Sequence, residues 1–462
     1  MIKETLPTLI LAAATLSACS TLAPTPPPPA VLRSAWNNGL ASTPSAAQLA
    51  PTRWWQQFRS PHLDLLIDTA LRNNPGVAAA RERVLAARAL QGTGSPSYKP
   101  ELALATGSEP TPGAAASYFQ AGFDANWELP LFERGANTSR ILTAQTADAE
   151  ATLADARSEL VAETVRAYLD GSTATDQIQW AEKLTTLEDQ RLERISARVA
   201  LGLDAKESLQ SSQQMRRDSQ LGLQSARLAR ARSLERLTAL LGRDAIDNAW
   251  MTAFDGEFEL PSPLVGAPAA ILRERPDVRH AEAAIVRSAA ELGIARAELY
   301  PHINLAGALT AAVRLSSGSA NSANSIFSAG PVINLPLFDW GLRRAQSEAR
   351  GAVLRAASLA YRQVVLDAIA ESEIAFLQLT ATTQRVTALS AAATDARNSA
   401  LQATVRRRLG LLAQVATLDL ERESILAQQD LDNARHQQAM AFVHVYKVLG
   451  RGAFVADNQG TW

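Results

Sequence analysis

Polar and apolar side chains alternate along short stretches of the chain, and this pattern predicts β-strands. In 118–129 the apolar side chains fall on every second residue, at Phe119, Ala121, Phe123, Ala125, Trp127 and Leu129. Such alternation gives a strand one apolar and one polar face. A similar pattern occupies 326–335, and a partner strand precedes each, over 300–315 and more weakly over 98–107. The sequence therefore predicts two hairpins, with strands within about 98–131 and 300–337.

The environment of these strands is not settled by alternation alone. Their lengths, near ten residues, match tilted strands of an outer-membrane barrel, whereas a hairpin in a soluble sandwich would alternate equally well. Gln120, Asp124 and Asn126 suit a wet lumen. The smallest single-chain barrels have about eight strands, and an open edge in lipid leaves backbone groups unpaired. If the four strands span a membrane, several chains must share one barrel.

Two proline-free stretches, 136–200 and 342–409, predict unusually long helices. Each has roughly 65 residues, or about 100 Å of helix. Gly202 and Gly410 are placed to end them, because glycine readily adopts the positive φ of a helix C-terminus, and Gly171 is a predicted weak point. Shorter helices are expected to follow over about 204–241 and 412–449 and to precede the strands over 62–91 and 268–297. An antiparallel coiled-coil scaffold is the alternative explanation of the helices.

The same elements occur twice, so the sequence contains an internal repeat. Leu-Pro-Leu-Phe-Glu-Arg-Gly at 129–135 returns as Leu-Pro-Leu-Phe-Asp-Trp-Gly at 335–341. Leu201-Gly202-Leu203 returns as Leu409-Gly410-Leu411. The offset between the copies drifts only from 201 to 208 along the chain. A whole domain-sized unit is therefore duplicated.

Composition excludes several classes of function. The 45 basic and 46 acidic residues leave a formal charge of −1, which gives no basic excess for nucleic acid. The single cysteine cannot form a disulfide framework or a cysteine-rich metal site. The histidines are scattered, at His62, His280, His302, His436 and His444, and no phosphate loop or nucleophile elbow occurs. We therefore expect no enzymatic activity, no catalytic residue, no metal and no cofactor beyond a covalent lipid.

The N-terminus has the pattern of a secretory signal. Lys3 is followed by an apolar stretch, 6–16, that is too short to span about 30 Å of hydrocarbon. Leu16-Ser17-Ala18-Cys19 then resembles the bacterial lipobox, which implies cleavage before Cys19 and its acylation, for example by palmitate. A plain signal peptide with an incidental cysteine is the alternative. Ser20, in place of aspartate, favours the outer membrane, and the proline-rich 24–29 predicts an extended tether.

These patterns divide the chain into six parts. They are the signal peptide 1–18, the lipid-anchored tether and N-terminal segment 19–60, repeat 1 over 61–242, a linker 243–266, repeat 2 over 267–450, and a C-terminal tail 451–462. Trp54, Trp55 and Phe58 are expected to pack the start of the mature domain rather than bind a ligand.

In combination the motifs resemble the outer-membrane efflux lipoproteins of the TolC type. The resemblance rests on the two Leu-Pro-Leu-Phe-x-x-Gly turns, on Trp54-Trp55 through Asn74-Pro75, and on Arg273-x-Arg275-Pro276-Asp277, and it covers essentially the whole mature chain. It implies an α+β membrane protein in which a homotrimer forms one twelve-stranded β-barrel, four strands per chain, continuous with a long periplasmic helical barrel.

The function implied by the resemblance is passive transport through the outer membrane. The protein would be the exit duct of a tripartite efflux pump for drugs or other small toxic compounds. It would extend into the periplasm and work with a periplasmic adaptor and a proton-driven inner-membrane transporter. The outer-membrane duct of a type I protein secretion system is the alternative function.

The resemblance also implies where such a duct docks and closes. The docking tip would be formed by Leu201, Gly202, Leu203, Leu409, Gly410 and Leu411. Asp419, about two and a half turns into the returning helix, matches a constricting acidic position of the family, but Ala416 occupies the other acidic position. Glu207 and Ser208 lie near the equivalent place in repeat 1. Arg406, Arg407 and Arg408 could pair with acidic groups to hold the tip closed. In the alternative, these charged residues are simply solvated helix positions.

Overall fold

The computed structural model describes residues 36–38, 53–94, 98–109, 117–245, 272–315 and 323–450. After a short 3-10 helix, Trp54–Phe58, these ranges form seven α-helices and four β-strands. In chain order they are α1 Pro61–Asn73, α2 Pro75–Gly92, β1 Glu101–Glu109, β2 Ser117–Glu128, α3 Arg134–Ala200, α4 Lys206–Leu240, α5 Pro276–Ala297, β3 His302–Leu315, β4 Ala323–Asn334, α6 Leu342–Arg408 and α7 Gln414–Val448. The described residues fall into two compact units: a strand unit within 83–150 and 279–364, and a helical unit within 31–82, 151–278 and 365–462.

The strand unit contains one antiparallel sheet with the order β1-β2-β3-β4. Its register brings the apolar positions of all four strands into rows, one of which consists of Leu104, Phe123, Leu309 and Phe327. The opposite face carries small or polar residues, as in the row formed by Ala103, Asp124, Ala308 and Ser328. Directly paired residues share a face, so the alternation read in each strand becomes one apolar and one polar surface. Both hairpins are predicted correctly, although β1 begins at Glu101 rather than at 98.

The two copies of the repeat have equal long helices. Both α3 and α6 have 67 residues, and both α4 and α7 have 35. The predicted long helices are therefore confirmed. The predicted weak point at Gly171 is wrong, because α3 is continuous through it. Ala167, Leu169 and Ala174 flank this glycine, and the helix propensity of the 67-residue helix as a whole outweighs the cost of about 1 kcal/mol for one glycine.

The prediction of one helix over 62–91 is wrong, because the chain breaks at Asn74-Pro75 into α1 and α2. A residue before proline is excluded from the helical region by contact with the proline ring, and Asn74 is extended, with ψ 121°. Its Oδ1 accepts hydrogen bonds from the backbone of Gly76 and Val77, at 2.9 and 3.2 Å, and so caps α2. In the second copy, α5 likewise begins at a proline, Pro276, rather than at 268.

These two junctions anchor the ends of the shorter helices in the helical unit. The Asn74 side chain donates to the carbonyl of Leu240, the last residue of α4, at 3.0 Å. Arg275, at the matching position of the second copy, donates to the carbonyl of Val448, the last residue of α7, at 2.6 Å. Arg275 is also paired with Asp277 and Glu371. The Asn-Pro and Arg-Pro-Asp motifs therefore close each repeat by satisfying carbonyls that a helix C-terminus leaves unpaired.

An aromatic cluster packs against α7 in the helical unit. Trp54 stacks on Tyr446, with ring centroids 5.2 Å apart, and Phe58 meets Phe442 edge-on at 5.6 Å. Trp54 and Trp55 are almost completely buried. The prediction that these residues pack the start of the mature domain is confirmed.

Candidate functional site

The two helical turns predicted to form a tip share one backbone structure. In the first turn, Gly202 has φ 71°, its N–H donates to Val199 O, and the N–H of Leu203 donates to Arg198 O at 2.9 Å. In the second, Gly410 has φ 73°, and Leu411 donates to Arg406 O at 2.8 Å. This pair of bonds satisfies the last helical carbonyls and requires a left-handed residue. The sequence identified both turns because glycine is the residue that this motif favours.

Each turn displays two leucines to solvent. Leu201 and Leu203 are 73% and 62% exposed, and Leu409 and Leu411 are 68% and 71% exposed. Single exposed leucines are common on protein surfaces, but pairs at the ends of helical hairpins form small apolar caps. The turns can therefore bury apolar surface against a partner.

The side chains around the two turns differ. In the first, Arg198 donates to both oxygens of Asp204, at 2.7 and 2.9 Å, and clamps the turn. The hydrogen bond from Arg198 lowers the pKa of the Asp204 carboxyl below its ordinary value. The second turn has Arg406 at the matching position but Leu412 in place of the aspartate. Only the first turn is closed by a bidentate pair.

The predicted gate residues are not drawn together into one cluster. Asp419 accepts a hydrogen bond from Arg191 Nε of α3 at 2.9 Å. It is the sixth residue of α7, about one and a half turns in, so the predicted depth of two and a half turns is wrong because α7 starts at Gln414. Glu207 is exposed in the first turn of α4, and Ser208 is half-buried. Arg406, Arg407 and Arg408 are exposed, and no acidic residue in the described ranges forms an ion pair with them.

The Arg191–Asp419 pair belongs to a ladder of polar contacts between α3 and α7. Arg422 Nε donates to Glu188 Oε1 at 2.9 Å, and Trp180 Nε1 donates to Asp432 Oδ2 at 2.8 Å. Glu188 is only 1% exposed. We call these three pairs, Arg191–Asp419, Glu188–Arg422 and Trp180–Asp432, the polar seam. Sequence reasoning missed it; the only available signal was that Trp180, Glu188 and Arg191 recur on one helical face.

The surfaces of the sheet provide the second part of the candidate site. Phe123, Leu309 and Phe327 on its apolar face are all exposed within the chain. Gln120, Asp124 and Asn126 lie on the opposite face, as predicted. One face is thus suited to hydrocarbon and the other to water.

At the end of the sheet where β2 leads into α3, charged side chains converge on Arg134. This residue is 4% exposed and donates to Glu128 Oε1 at 2.7 Å. It also pairs with Glu298 and contacts His302. Arg134 fixes the junction between β2, α3, α5 and β3.

Three further observations concern membrane-spanning helices, metal ions and the N-terminal segment. Among the described helices, none has an apolar stretch long enough to cross a membrane. The described histidine, aspartate and glutamate side chains form no group of three suited to a metal ion. Cys19 and the proline-rich 24–29 lie outside the described residues.

Comparison with known proteins places this arrangement among outer-membrane channels. A model of the outer membrane efflux protein family matches residues 66–243 and 267–451. The pyoverdine export outer membrane protein OpmQ of Pseudomonas putida is 30% identical over 474 residues, covering 96% of both chains. The outer membrane protein OprJ of Pseudomonas aeruginosa is 28% identical over 461 residues, covering 96% of this chain and 95% of that protein.

Solved structures share the fold. The outer-membrane channel OprN superimposes with a TM-score of 0.78 at 27% identity, covering 93% of this chain and 99% of that one. The open state of the MtrE outer membrane channel of Neisseria gonorrhoeae gives a TM-score of 0.80 at 23% identity, covering 93% and 98%.

Proposed function

The chain belongs to the outer membrane efflux protein family, and from this premise we propose how it forms and docks a conduit. It is an outer-membrane efflux channel. The observation that carries the proposal is the four-stranded sheet with one apolar face, one polar face and two unpaired edges.

The channel is a homotrimer in this proposal. Within the chain, β1 and β4 are the edges of the sheet. An unpaired edge in hydrocarbon costs several kcal/mol for each unsatisfied backbone group. Three chains supply twelve strands, enough to close a barrel, and closure pairs β4 of each chain with β1 of the next. The polar face then lines a wet lumen.

Export through this lumen is passive. Drugs or other small toxic compounds enter from the periplasm, and the wall supplies only a polar path. Energy comes from an inner-membrane transporter, driven by protons, that a periplasmic adaptor couples to the duct. The duct would contribute in this way to multidrug resistance, and it performs no catalysis.

The exposed leucines of the two helical turns are the proposed adaptor surface. Leu201, Leu203, Leu409 and Leu411 can bury apolar area that is otherwise in water. Gly202 and Gly410 hold these leucines outward, and nothing lies within 4 Å of either glycine's missing Cβ. The arginines Arg406, Arg407 and Arg408 add positive charge beside the second pair.

In this proposal Asp419 controls the opening of the duct through its contact with α3. Because Asp419 is held by Arg191 of the same chain, releasing that pair frees α7 to move away from α3. Glu207 and Ser208 mark the corresponding level of α4. Asp419→Asn should therefore raise the conductance of purified protein in planar bilayers, and Glu423→Gln on α7 is the matched control.

Acylation of Cys19 anchors the mature chain to the outer membrane. The lipobox-like sequence before it supports this proposal. Mass spectrometry of the protein extracted from outer membranes should show a lipid-modified N-terminal cysteine. An unmodified N-terminus would refute the anchor without affecting the channel.

The function is tested by deleting the gene and restoring it. Loss of the protein should lower resistance to compounds exported by the cognate pump, and the intact chain should restore it. The purified protein should run as a trimer and conduct ions in bilayers. A soluble, non-conducting monomer would refute the proposal.

A further inference from the structure

A cavity of about 670 Å³ lies among α3, α4 and α7 within the helical unit. On α3 its walls run from Gln177 to Glu188, about 16 Å along the helix, and we call the end at Glu188 the seam end. A cavity of this size accommodates a small organic molecule. We propose that it binds an elongated organic dication, with one ammonium group at Glu188 and Asp218 and the other at Asp430.

The seam end of the cavity contains a buried carboxylate with one unpaired oxygen. Glu188 is 1% exposed and lines the cavity. Its Oε1 accepts a hydrogen bond from Arg422 Nε at 2.9 Å, but its Oε2 has no hydrogen-bond partner among the described residues. Buried polar atoms in folded proteins are nearly always hydrogen-bonded, and an unpaired one is costly. An ammonium group at this end of the cavity supplies the missing donor.

The cavity carries more negative than positive charge. Asp218 of α4 and Asp430 of α7 line it together with Glu188, and Arg422 is the one basic residue among the described side chains of its walls. Asp218 accepts a hydrogen bond from Gln214 Nε2 at 2.7 Å, and Asp430 forms no ion pair with a described residue. Three carboxylates against one guanidinium leave a negative potential that attracts a cation.

The carboxylates are spread along the cavity rather than gathered at one point. Asp218 lies at the seam end, because Arg216, two residues before it, pairs with Asp189 of α3. Asp430 lies towards the other end, eight residues beyond Arg422 on α7 and thus about 12 Å along that helix. Within the described ranges, no three acidic or histidine side chains are grouped to hold a metal ion. The spacing therefore fits a long molecule with two cationic ends better than one small ion.

The middle of the cavity suits an apolar linker between the two cationic ends. Leu184 lies one turn before Glu188 on α3, and Leu426 lies one turn after Arg422 on α7, and both line the cavity. Gly222 of α4 lines it too, and nothing lies within 4 Å of its missing Cβ. The space between the charged ends is therefore open, with leucine side chains on two of its walls.

A ligand bound in this way joins α7 to α3 and α4. One end is held by Glu188 and Asp218, on α3 and α4, and the other by Asp430 on α7. In the proposed function, on which this effect rests, α7 moves away from α3 when the duct opens. A bound dication therefore opposes opening and holds the duct closed.

Binding is tested by isothermal titration calorimetry on the purified full chain in detergent, with heats from empty micelles subtracted. The probes are octamethylenediamine, octylamine and octanediol, which share one carbon chain and carry two, one and no cationic ends. We expect the diamine to bind at least tenfold more tightly than either of the others. Equal affinity for octylamine would overturn the two-ended site. Equal affinity for octanediol, or no binding of the diamine, would overturn the site altogether.

Substitutions show whether the diamine occupies this cavity. Asp430→Asn should lower its affinity at least fivefold, whereas Glu423→Gln, an exposed position of α7 outside the cavity, should not. Gly222→Leu should lower it at least tenfold by filling the cavity, and its Cβ meets no atom within 4 Å, so the fold is kept. Gly92→Leu, at a helical glycine with equal space, is the matched control. Unchanged affinity in both Asp430→Asn and Gly222→Leu would place the ligand elsewhere and overturn the proposal.

Planar bilayer recordings test the closing effect. The diamine, added to both sides, should lower the open probability of the unmodified protein, and Asp430→Asn should require at least fivefold more diamine for the same effect. Binding without any change in conductance would refute the closing effect. If the unmodified protein forms no channel, the proposed function fails, while calorimetry still decides whether the cavity binds the dication.

Discussion

The two 67-residue helices have the same length and repeat position but different neighbours within the chain. Helix α3 contacts α4 on one side, as in the Arg227–Glu182 pair, and α7 on the other through the polar seam. Helix α6 contacts α7 through hydrogen bonds such as those from Gln438 to Thr383 at 2.9 Å and from Arg397 to Gln428 at 3.1 Å. Its large apolar side chains remain exposed at Leu359, Leu366, Leu377, Leu401 and Val405. Helix α3 therefore buries its large apolar side chains within its own chain, whereas α6 keeps an apolar surface exposed.

The charged pairs between α3 and α7 have no counterparts at the repeat-equivalent positions of α6 and α4. An offset of 208 converts Arg191 and Asp419 into Ser399 and Ser211, and Glu188 and Arg422 into Ala396 and Gln214. None of these pairs carries opposite charges. Buried charges are costly to desolvate, so the chain keeps them where both partners are covalently linked. At these two levels the matching residues of α6 and α4 are uncharged.

The largest effect is expected from breaking the polar seam inside the chain. Arg422→Met leaves the buried Glu188 carboxylate without its guanidinium, which should destabilise the fold by roughly 3 kcal/mol. Gln214→Met, at the matching position of α4, should change stability by less than about 0.5 kcal/mol. Urea unfolding in detergent, followed by circular dichroism, measures both. Equal effects would contradict the contrast between the helices.

The next largest difference in stability is expected between substitutions of the two anchors, Arg275 and Asn74. Arg275→Ala removes a buried charged donor and leaves two carboxylates without it, at a cost of about 2.5 kcal/mol. Asn74→Ala removes the neutral hydrogen bond to Leu240 and the cap of α2, and should cost about 1.5 kcal/mol. The unfolding midpoints of the two variants provide the comparison. Arg59→Ala, which leaves both anchors intact, is the control. A larger cost for Asn74→Ala would contradict the expectation that the charged anchor contributes more than the neutral one.

The glycines of the two tips should behave alike, because their backbone bonds are the same. Gly202→Ala and Gly410→Ala each force a side chain into the left-handed region, at about 1–2 kcal/mol. Neither new Cβ meets an atom within 4 Å, so no clash adds to the strain. Hydrogen exchange at the ends of the helices reports the loss. Gly222→Ala, within α4, is the control and should be neutral or stabilising.

Acid should destabilise only the first tip, because only that turn contains the Arg198–Asp204 clamp. The pKa of Asp204 is lowered by Arg198, so the clamp stabilises the turn above the ordinary carboxyl pKa of 3.8 and is lost as pH falls through the lowered value. Amide exchange at Leu203 should accelerate at that pH, and Asp204→Asn should abolish the change. Exchange at Leu411 is the internal control. A matching acceleration there would show that the clamp is not responsible.

The smallest expected effect concerns His444 on α7, whose counterpart on α4 is Arg236. Burial, followed by the charges of Arg166 and Lys447, lowers the pKa of His444 from 6.5. Below pH 6.5 the unfolded chain takes up a proton that the folded chain resists, so stability falls with acidification. His444→Gln should reduce the difference in unfolding midpoint between pH 7.5 and 5.5. His62→Gln is the control, and a reduction as large there would assign the effect elsewhere.

Much of the fold can be predicted from the sequence because the patterns that determine it are local. The alternation of apolar and polar residues predicts the hairpins, the absence of proline predicts α3 and α6, and the glycines predict both tips. Family membership and a fold of long helices with a four-stranded sheet are confirmed. The break at Asn74 was also local, and the general helix-breaking effect of a following proline should have revealed it.

The candidate site is harder to predict because the residues in contact there are far apart in the sequence. Asp419 was identified as a gate residue, but its partner Arg191 lies 228 positions away. No local pattern distinguishes Arg191 from its neighbour Arg194. Asp419's role in opening, the docking role of the tips, the acylation of Cys19 and the domain boundaries stay predictions.

The anchors at Asn74 and Arg275 have a consequence for how the chain is made. Each joins residues near the two ends of one repeat, 166 positions apart in the first and 173 in the second. Neither anchor can form until its returning helix has been synthesised and exported. Once residue 240 has arrived, however, the first repeat holds its own closing bond. Folding can therefore advance from the N-terminus in two stages, and the first stage can be complete while the second repeat is still being delivered.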